Sequence, residues 1–343
     1  VNLQILKETE MKKLLFILIL AAGMGGAMAQ MQDKIKPVGA WSSFTGCTKA
    51  CSDYLGFEYP LSWISGVTGY AFILNMHPEV CPSGPTAFDH GFLKQNAEAL
   101  GLRFRTTDFT KWEGDLEARQ REAFENVKKE LAAGHPAFGW ELGLPEYYLI
   151  AGTNEKGYEY FDFDGSVKTC PWDSVATSEI GMAEFCFLDK AAPQDELRQL
   201  KSALEFLGDY TADPARYAIE GYTMGPAAYD LWIKALKEGK TDPWGMGYNT
   251  QVWAEARWNA RAFLAQAKKR LGEERGLDAL DLAIARYEEV AEALNQVSEI
   301  YGFPPREEDH STENAAKAAE LLARARDAEK AGIKALLELK EKL

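Results

Sequence analysis

The sequence predicts an α+β protein: an antiparallel sheet with helices in the first part, then an all-α region. Three observations carry this. Up to residue 190, short runs rich in aromatic and aliphatic residues alternate with helical patterns. Beyond Ala191-Ala192-Pro193 the apolar residues recur only at helical spacing, with Glu, Lys and Arg between them. Gly157 separates two β-type runs, residues 147–155 and 158–164, which makes those runs antiparallel neighbours. In order, helical patterns cover residues 47–55, 88–100 and 116–133, and β-type runs cover 103–108, 137–142, 147–151, 158–164 and 184–188. Helices are then expected over 194–209, 227–237, 251–271, 276–301 and 312–343. The domains read as 30–192, α+β, and 193–343, helical.

Residues 1–29 stand apart from this fold. Met11 opens a segment with basic Lys12 and Lys13, an apolar run from Leu14 to Ala22, and the small-residue end Ala27-Met28-Ala29 before Gln30. That order is a secretory signal peptide, and residues 1–10 read as an upstream extension. A secreted or periplasmic protein is expected. The apolar run falls short of the roughly 20 residues a spanning helix needs, and no other segment approaches that length, so no transmembrane segment is expected in the mature chain.

The 46% hydrophobic content excludes a disordered chain, and the net charge of −14 argues against nucleic acid as a partner. Glycine-rich phosphate loops, HExxH and paired CxxC spacings are absent from the sequence, so nothing points to a cofactor or a metal. The mature chain keeps Cys47, Cys51, Cys81, Cys170 and Cys186, an odd number, which leaves at least one thiol over in an oxidising compartment. Cys170 and Cys186 flank a strand pair and are better placed for a disulfide than Cys47 and Cys51. The alternative is that all five are small buried hydrophobes.

Residues 46–101 are the most individual part of the chain. Gly46-Cys47 opens a helix that stops at Gly56; a thiol in a first turn lies in the positive field of the helix N-terminus, which favours a nucleophile. Gly66-Val67-Thr68-Gly69-Tyr70-Ala71-Phe72, then His77, then Cys81-Pro82-Ser83-Gly84-Pro85-Thr86, suit a buried loop wrapped around a pocket. Gly66, Gly69, Tyr70, Phe72, His77 and Ser83 are therefore candidate pocket residues, with Trp140 and Glu146 as candidate walls. His135 reads as a charge partner for a helix C-terminus, His90 as a surface or capping residue and His310 as exposed. Trp244, Trp253 and Trp258 read as packing between the halves.

Gly46-Cys47 at a helix start, Tyr54-Leu55-Gly56, the Gly66-x-x-Gly69-x-Ala71-Phe72 run and the hairpin after Trp140 resemble the butirosin biosynthesis protein H-like family, a branch of the papain-like (C39-like) cysteine-peptidase fold. The resemblance covers residues 40–190 and continues more weakly through Gly225-Pro226-Ala227-Ala228-Tyr229 and Tyr248-Asn249. It implies a Cys at the start of the first helix, activated by a His opening a later strand, with an Asp or Asn on the next strand holding that His. The implied activity is acyl transfer from a carrier thioester, and relatives cleave peptides.

Carried over, Cys47 falls at the nucleophile and Asp162 at the orienting acid. The histidine does not carry over, because Glu146-Tyr147-Tyr148-Leu149-Ile150-Ala151-Gly152 occupies its place. A carboxylate beside a thiol opposes the thiolate, the reverse of an imidazolium. Two readings follow. One is a secreted pseudoenzyme whose reshaped pocket, with Cys47, Trp140, Glu146 and the glycine-rich loops around it, binds a small molecule or peptide. The other is a thiol-dependent acyltransferase or amide hydrolase using Cys47 with Glu146 or His77.

Overall fold

The computed structural model describes residues 35–271 and 278–343. The expected export signal lies outside them. In chain order the elements are α1 (Ser43–Tyr54), α2 (Leu61–Thr68), a 3-10 turn (Tyr70–Phe72), β1 (Asn75–Met76), α3 (Gly91–Asn96), β2 (Leu102–Thr110), α4 (Leu116–Ala132), β3 (Ala137–Trp140), β4 (Tyr147–Thr153), β5 (Gly157–Phe161), β6 (Val167–Pro171) and β7 (Met182–Lys190). The helical region follows: α5 (Glu196–Ala212), a short β8 (Thr223–Met224), α6 (Pro226–Glu238), α7 (Pro243–Leu271), α8 (Asp278–Ile300) and α9 (Thr312–Lys340). The α+β class with a helical C-terminal region is thus present.

The chain groups into two compact units, one with residues 50–57 and 105–189, the other with residues 39–49, 58–104 and 190–343. The second unit joins early segments to the late helices. No local signal marks that grouping, since it rests on packing between segments far apart in sequence.

The first unit is a six-stranded antiparallel sheet in the order β2-β7-β3-β4-β5-β6. Helix α4 buries Phe124, Val127 and Leu131, with Phe124 edge-on to Tyr158 of β5 at 5.3 Å. Its N-cap Asp115 accepts from Ala118 N–H. Between β4 and β5 the Asn154 Oδ1 accepts from Lys156 and Gly157 N–H, closing the turn one residue before Gly157. A Cβ at Gly157 would lie 2.0 Å from the Cys170 carbonyl, so only glycine lets β6 approach there. The expected Cys170–Cys186 disulfide is excluded by the strand order. Three strands separate β6 from β7, roughly 19 Å at ordinary strand spacing, far beyond the reach of a disulfide. All five cysteines are thiols in this structure.

In the second unit α2 lies on α7, where the Gly66 position would place a Cβ 2.2 Å from the Phe263 ring. Trp63 packs on Phe263 at 4.9 Å and donates its indole N–H to Gln199 of α5. Arg257 of α7 is fully buried and forks onto Glu329 of α9, with Nη1 donating to the Ile73 carbonyl. Trp253 is buried and stacks on Tyr70 at 5.9 Å. Two tryptophans depart from expectation, Trp244, which is 55% exposed, and Trp258. The latter is 38% exposed with Arg261 over its ring, because five residues along a helix rotate it about 140° from Trp253. Helix α7 also begins earlier than expected, so Trp244, Tyr248 and Asn249 lie within it. No helix among the described residues is long and apolar enough to cross a membrane.

Candidate functional site

Cys47 is the fifth residue of α1 and only 8% exposed. The expectation of a first-turn thiol is corrected here, since four helical residues precede it. Those first-turn donors are already engaged: Ser42 Oγ accepts from Thr45 N–H, and the Ser42 carbonyl accepts from Gly46 N–H. Glu255 of α7 receives Trp41 N–H at 2.8 Å and Ser42 N–H at 3.4 Å. Its carboxylate therefore meets the positive end of α1, and burial pushes its pKa up. A helix field fades within one turn, so Cys47 lies beyond most of it. Cys51, one turn further on, is fully buried.

The stretch from Gly66 to Phe72, expected as a pocket loop, is the end of α2 and a 3-10 turn. Gly69 has φ 93° and caps α2 in the left-handed conformation. Tyr70 and Phe72 are core residues, Phe72 packing on Phe263 and Tyr287. Seven consecutive apolar or small residues, Ser62 to Thr68, are buried on every side and give no periodic signal, which is why α2 reads as a loop in the sequence.

The histidines fall partly as expected. His90 stands at the N-cap position of α3 and is half-buried, with Phe44 and Phe88 packed on its ring. His310 is half-buried against Tyr301. His135 does more than end a helix, since its ring bridges Glu130 at 2.7 Å and Asp189 at 3.3 Å. His77 follows β1, and its Nδ1 accepts from Glu79 N–H at 3.2 Å. Ser83 is half-buried, with Oγ between Cys81 Sγ and the Tyr222 hydroxyl.

Glu146 and Asp162 lie in the first unit, Cys47 in the second. Glu146 ends the connection from β3 to β4; its carbonyl accepts from Glu141 N–H at 2.8 Å. Glu141 has φ 56°, a left-handed conformation rare for a side-chain-bearing residue. Asp162 lies in the turn after β5, where Oδ1 accepts from Phe163 N–H and Oδ2 from Lys168 Nζ. Both carboxylates are felt at one phenol. Burial raises the Tyr148 pKa, and Asp162, Tyr160 and Glu146 push it further. The Tyr148 hydroxyl accepts from Leu144 N–H at 2.8 Å. A Cβ at Gly143 would stand 3.0 Å from the Tyr148 hydroxyl and 3.1 Å from that of Tyr160, so glycine leaves room for both. Leu144 is 65% exposed and Phe163, 4.9 Å from Tyr148 between ring centres, is 62% exposed.

Trp140 does not share this wall. It pairs with Tyr147 across β3 and β4 while Tyr148 pairs with Gly139, and alternation points the two side chains to opposite faces. Trp140 is 6% exposed, packs on Tyr147 at 5.1 Å, and its indole N–H has no partner among the described residues. Sequence reading missed Leu144, Tyr148, Tyr160 and Phe163. The pair of phenols was visible only as strand aromatics, and their convergence needs the β4–β5 register.

The arrangement sets an exposed apolar rim, Leu144 and Phe163, over two buried phenols, Tyr148 and Tyr160, whose electrostatics the Glu146 and Asp162 carboxylates reach. It offers no nucleophile. Among the described residues no group of three or more His, Cys, Asp or Glu side chains is placed to hold a metal ion. No protein-family model matches the sequence, and no match is found among curated proteins.

Proposed function

We propose that the protein is an exported binding protein with a reshaped papain-like site, which takes a small molecule or peptide and performs no thiol chemistry on it. The observation that carries this is the exposure of Leu144 and Phe163 beside Tyr148, whose phenol feels the charges of Glu146 and Asp162. Exposed apolar side chains around satisfied polar groups mark recognition surfaces. The ligand that suits them presents an apolar group beside a hydrogen-bond donor or cation. A hydrolytic role finds less support. Asp162 is engaged by Lys168 and its own turn, so the acid that would orient a histidine is occupied, and in the sequence resemblance Glu146 replaces that histidine.

The test uses full-length mature protein and its Leu144→Ser/Phe163→Ser variant, each purified natively from the periplasm of a bacterial host. Small molecules released on denaturation are identified by mass spectrometry. A compound retained by the native protein and lost from a folded variant is the expected result. Turnover of an aryl thioester that disappears in Cys47→Ala would replace this reading with a thiol acyltransferase or amide hydrolase.

A further inference from the structure

Aromatic side chains from three segments gather at one place on the surface of the second unit, and directional bonds hold the segments that bear them. Trp244 and Tyr248 stand one turn apart on α7, so they share a face of that helix. At Gly247, between them in sequence, a Cβ would stand 2.5 Å from the Gly302 carbonyl and 3.5 Å from the Phe303 ring. Only glycine therefore lets the segment after α8 settle on α7, where Thr250 Oγ1 donates to the Tyr301 carbonyl at 3.2 Å. The remaining ring comes from the chain just before α1. Trp41 donates its N–H to Glu255 at 2.8 Å, and its carbonyl accepts from the Tyr248 hydroxyl at 3.3 Å.

Phe303 is the hub. Its ring centre lies 5.7 Å from that of Trp41, 5.7 Å from Trp244 and 5.9 Å from Tyr248, with interplanar angles of 87°, 78° and 52°. Rings so inclined make walls rather than the flat platform on which a base would stack. Trp41, Trp244 and Phe303 are all exposed, and contiguous exposed rings mark an interaction site.

The chemistry of the ligand follows from how other exposed rings are used and from charge. Trp112 and Trp258 each lie under a cation of the chain, Lys111 at 5.1 Å and Arg261 at 5.5 Å. Among the described residues no Lys or Arg stands over Trp41, Trp244 or Phe303. The segments that carry the cluster hold Asp242, Glu255, Glu307, Glu308 and Asp309 against Arg306, and Arg306 is bound to Asp309 at 2.7 Å. The net charge of −14 adds to that negative potential. Three of the carboxylates already accept backbone N–H groups beside the rings: Glu255 from Trp41, Asp242 from Gly245 and Asp309 from Gly302. A primary ammonium, strongly hydrated, must exchange its water for acceptors and finds those oxygens engaged. A fully methylated one asks only for ring faces and a negative potential.

We propose that Trp41, Trp244, Tyr248 and Phe303 form a binding site for a small quaternary ammonium ion. The positive group rests against the ring faces, and the surrounding carboxylates raise its local concentration without ligating it. The site shares no residue with the one proposed at Tyr148, and either can fail without the other.

The experiment titrates choline into full-length mature protein by calorimetry and tryptophan fluorescence, with dimethylbutanol, its neutral isostere carrying carbon in place of the charged nitrogen, in parallel. Saturable binding of choline is expected, with the isostere weaker by roughly tenfold because it keeps the shape and loses the attraction to the rings. Trp244→Ala and Trp41→Ala should each weaken choline by roughly fivefold. Trp112→Ala, which removes an exposed ring that Lys111 already covers, should leave the affinity unchanged. Phe303→Leu should weaken choline in the same direction and serves if Trp41→Ala disturbs the start of α1. An isostere that binds as tightly as choline would make the cluster an apolar contact only and overturn the proposal. So would the lack of saturable choline binding, a folded Trp244→Ala protein with native affinity, or uptake of a proline-rich peptide or an oligosaccharide in choline's place.

Discussion

The imidazole of His90 lies nearly flat against the ring of Phe44, centroids 5.2 Å apart and planes 30° apart, while Phe88 meets it edge-on at 4.4 Å. Such a slot favours the neutral ring. Burial lowers the His90 pKa to about 3, helped by Lys94 and partly offset by Asp89.

A stability window follows from that shift. Because the folded pKa lies below the ordinary 6.5, the unfolded chain binds the proton first as pH falls. The stabilisation is complete above 6.5 and declines toward about 3, with a limiting slope of about 1.4 kcal/mol per pH unit. Urea unfolding of His90→Gln between pH 6.5 and 4.5 should show a flatter dependence than the native chain. An identical slope in both would mean that His90 is open to water.

A second acid-sensitive element acts lower on the pH scale. Glu130 of α4 binds Arg105 of β2 through both oxygens at 2.7 and 2.8 Å, and Arg105 also reaches Asp189 of β7. The Arg105 hydrogen bonds, opposed by desolvation and aided by His135, hold the Glu130 pKa down at about 2 against 4.5. Its stabilisation is present above 4.5 and lost as pH falls toward about 2. Glu130→Gln should cost roughly 2 kcal/mol at neutral pH, screening at the half-exposed Arg105 included, and should flatten the profile below 4.5 only. Acid titrations of the two variants therefore separate the two elements.

These positions also mark the limits of sequence reading. The strands β3, β4 and β5 and the long helices are amphipathic or carry dense β-branched and aromatic runs, so their periodicity betrays them. Strand β6 escapes because it is an edge strand whose only buried residue is Cys170, leaving no alternation to read. Helix α2 escapes for the opposite reason, burial on all sides. Glu146 and Asp162 enter the sequence reading through a family resemblance alone. Asp162's bond to Lys168, and the meeting of the Tyr148 and Tyr160 phenols, depend on strand register and a turn that only the folded chain reveals.

The Arg257–Glu329 pair makes the sharpest energetic prediction. Both side chains are buried, and the Tyr229 hydroxyl also donates to Glu329. Removing one charge strands the other in a low-dielectric interior, so Glu329→Gln should cost about 3–5 kcal/mol. Replacing both with apolar residues of similar size, Arg257→Met/Glu329→Leu, should recover much of that loss. A double-mutant cycle from urea unfolding decides it; additive losses would mean that the two charges are solvated independently.

Gly66 separates a pocket role from a packing role. If it lined a ligand pocket, Gly66→Ala would leave the fold intact and weaken retention of the ligand. Its Cβ would instead meet the Phe263 ring, 2.2 Å from Cγ and 2.5 Å from both Cδ atoms, with α2 pressed on α7. The ring cannot retreat easily, since Trp63 and Phe72 pack on it as well. Overpacking of this kind costs about 1–3 kcal/mol, whereas the helix propensity gained from alanine returns at most about 1 kcal/mol. A net loss is expected, read as a lower urea midpoint. Shrinking the opposing ring should relieve it, so Gly66→Ala/Phe263→Leu is expected to be more stable than the sum of the single effects predicts. A Gly66→Ala protein as stable as the native one would place Gly66 at an open surface and return it to the list of pocket residues.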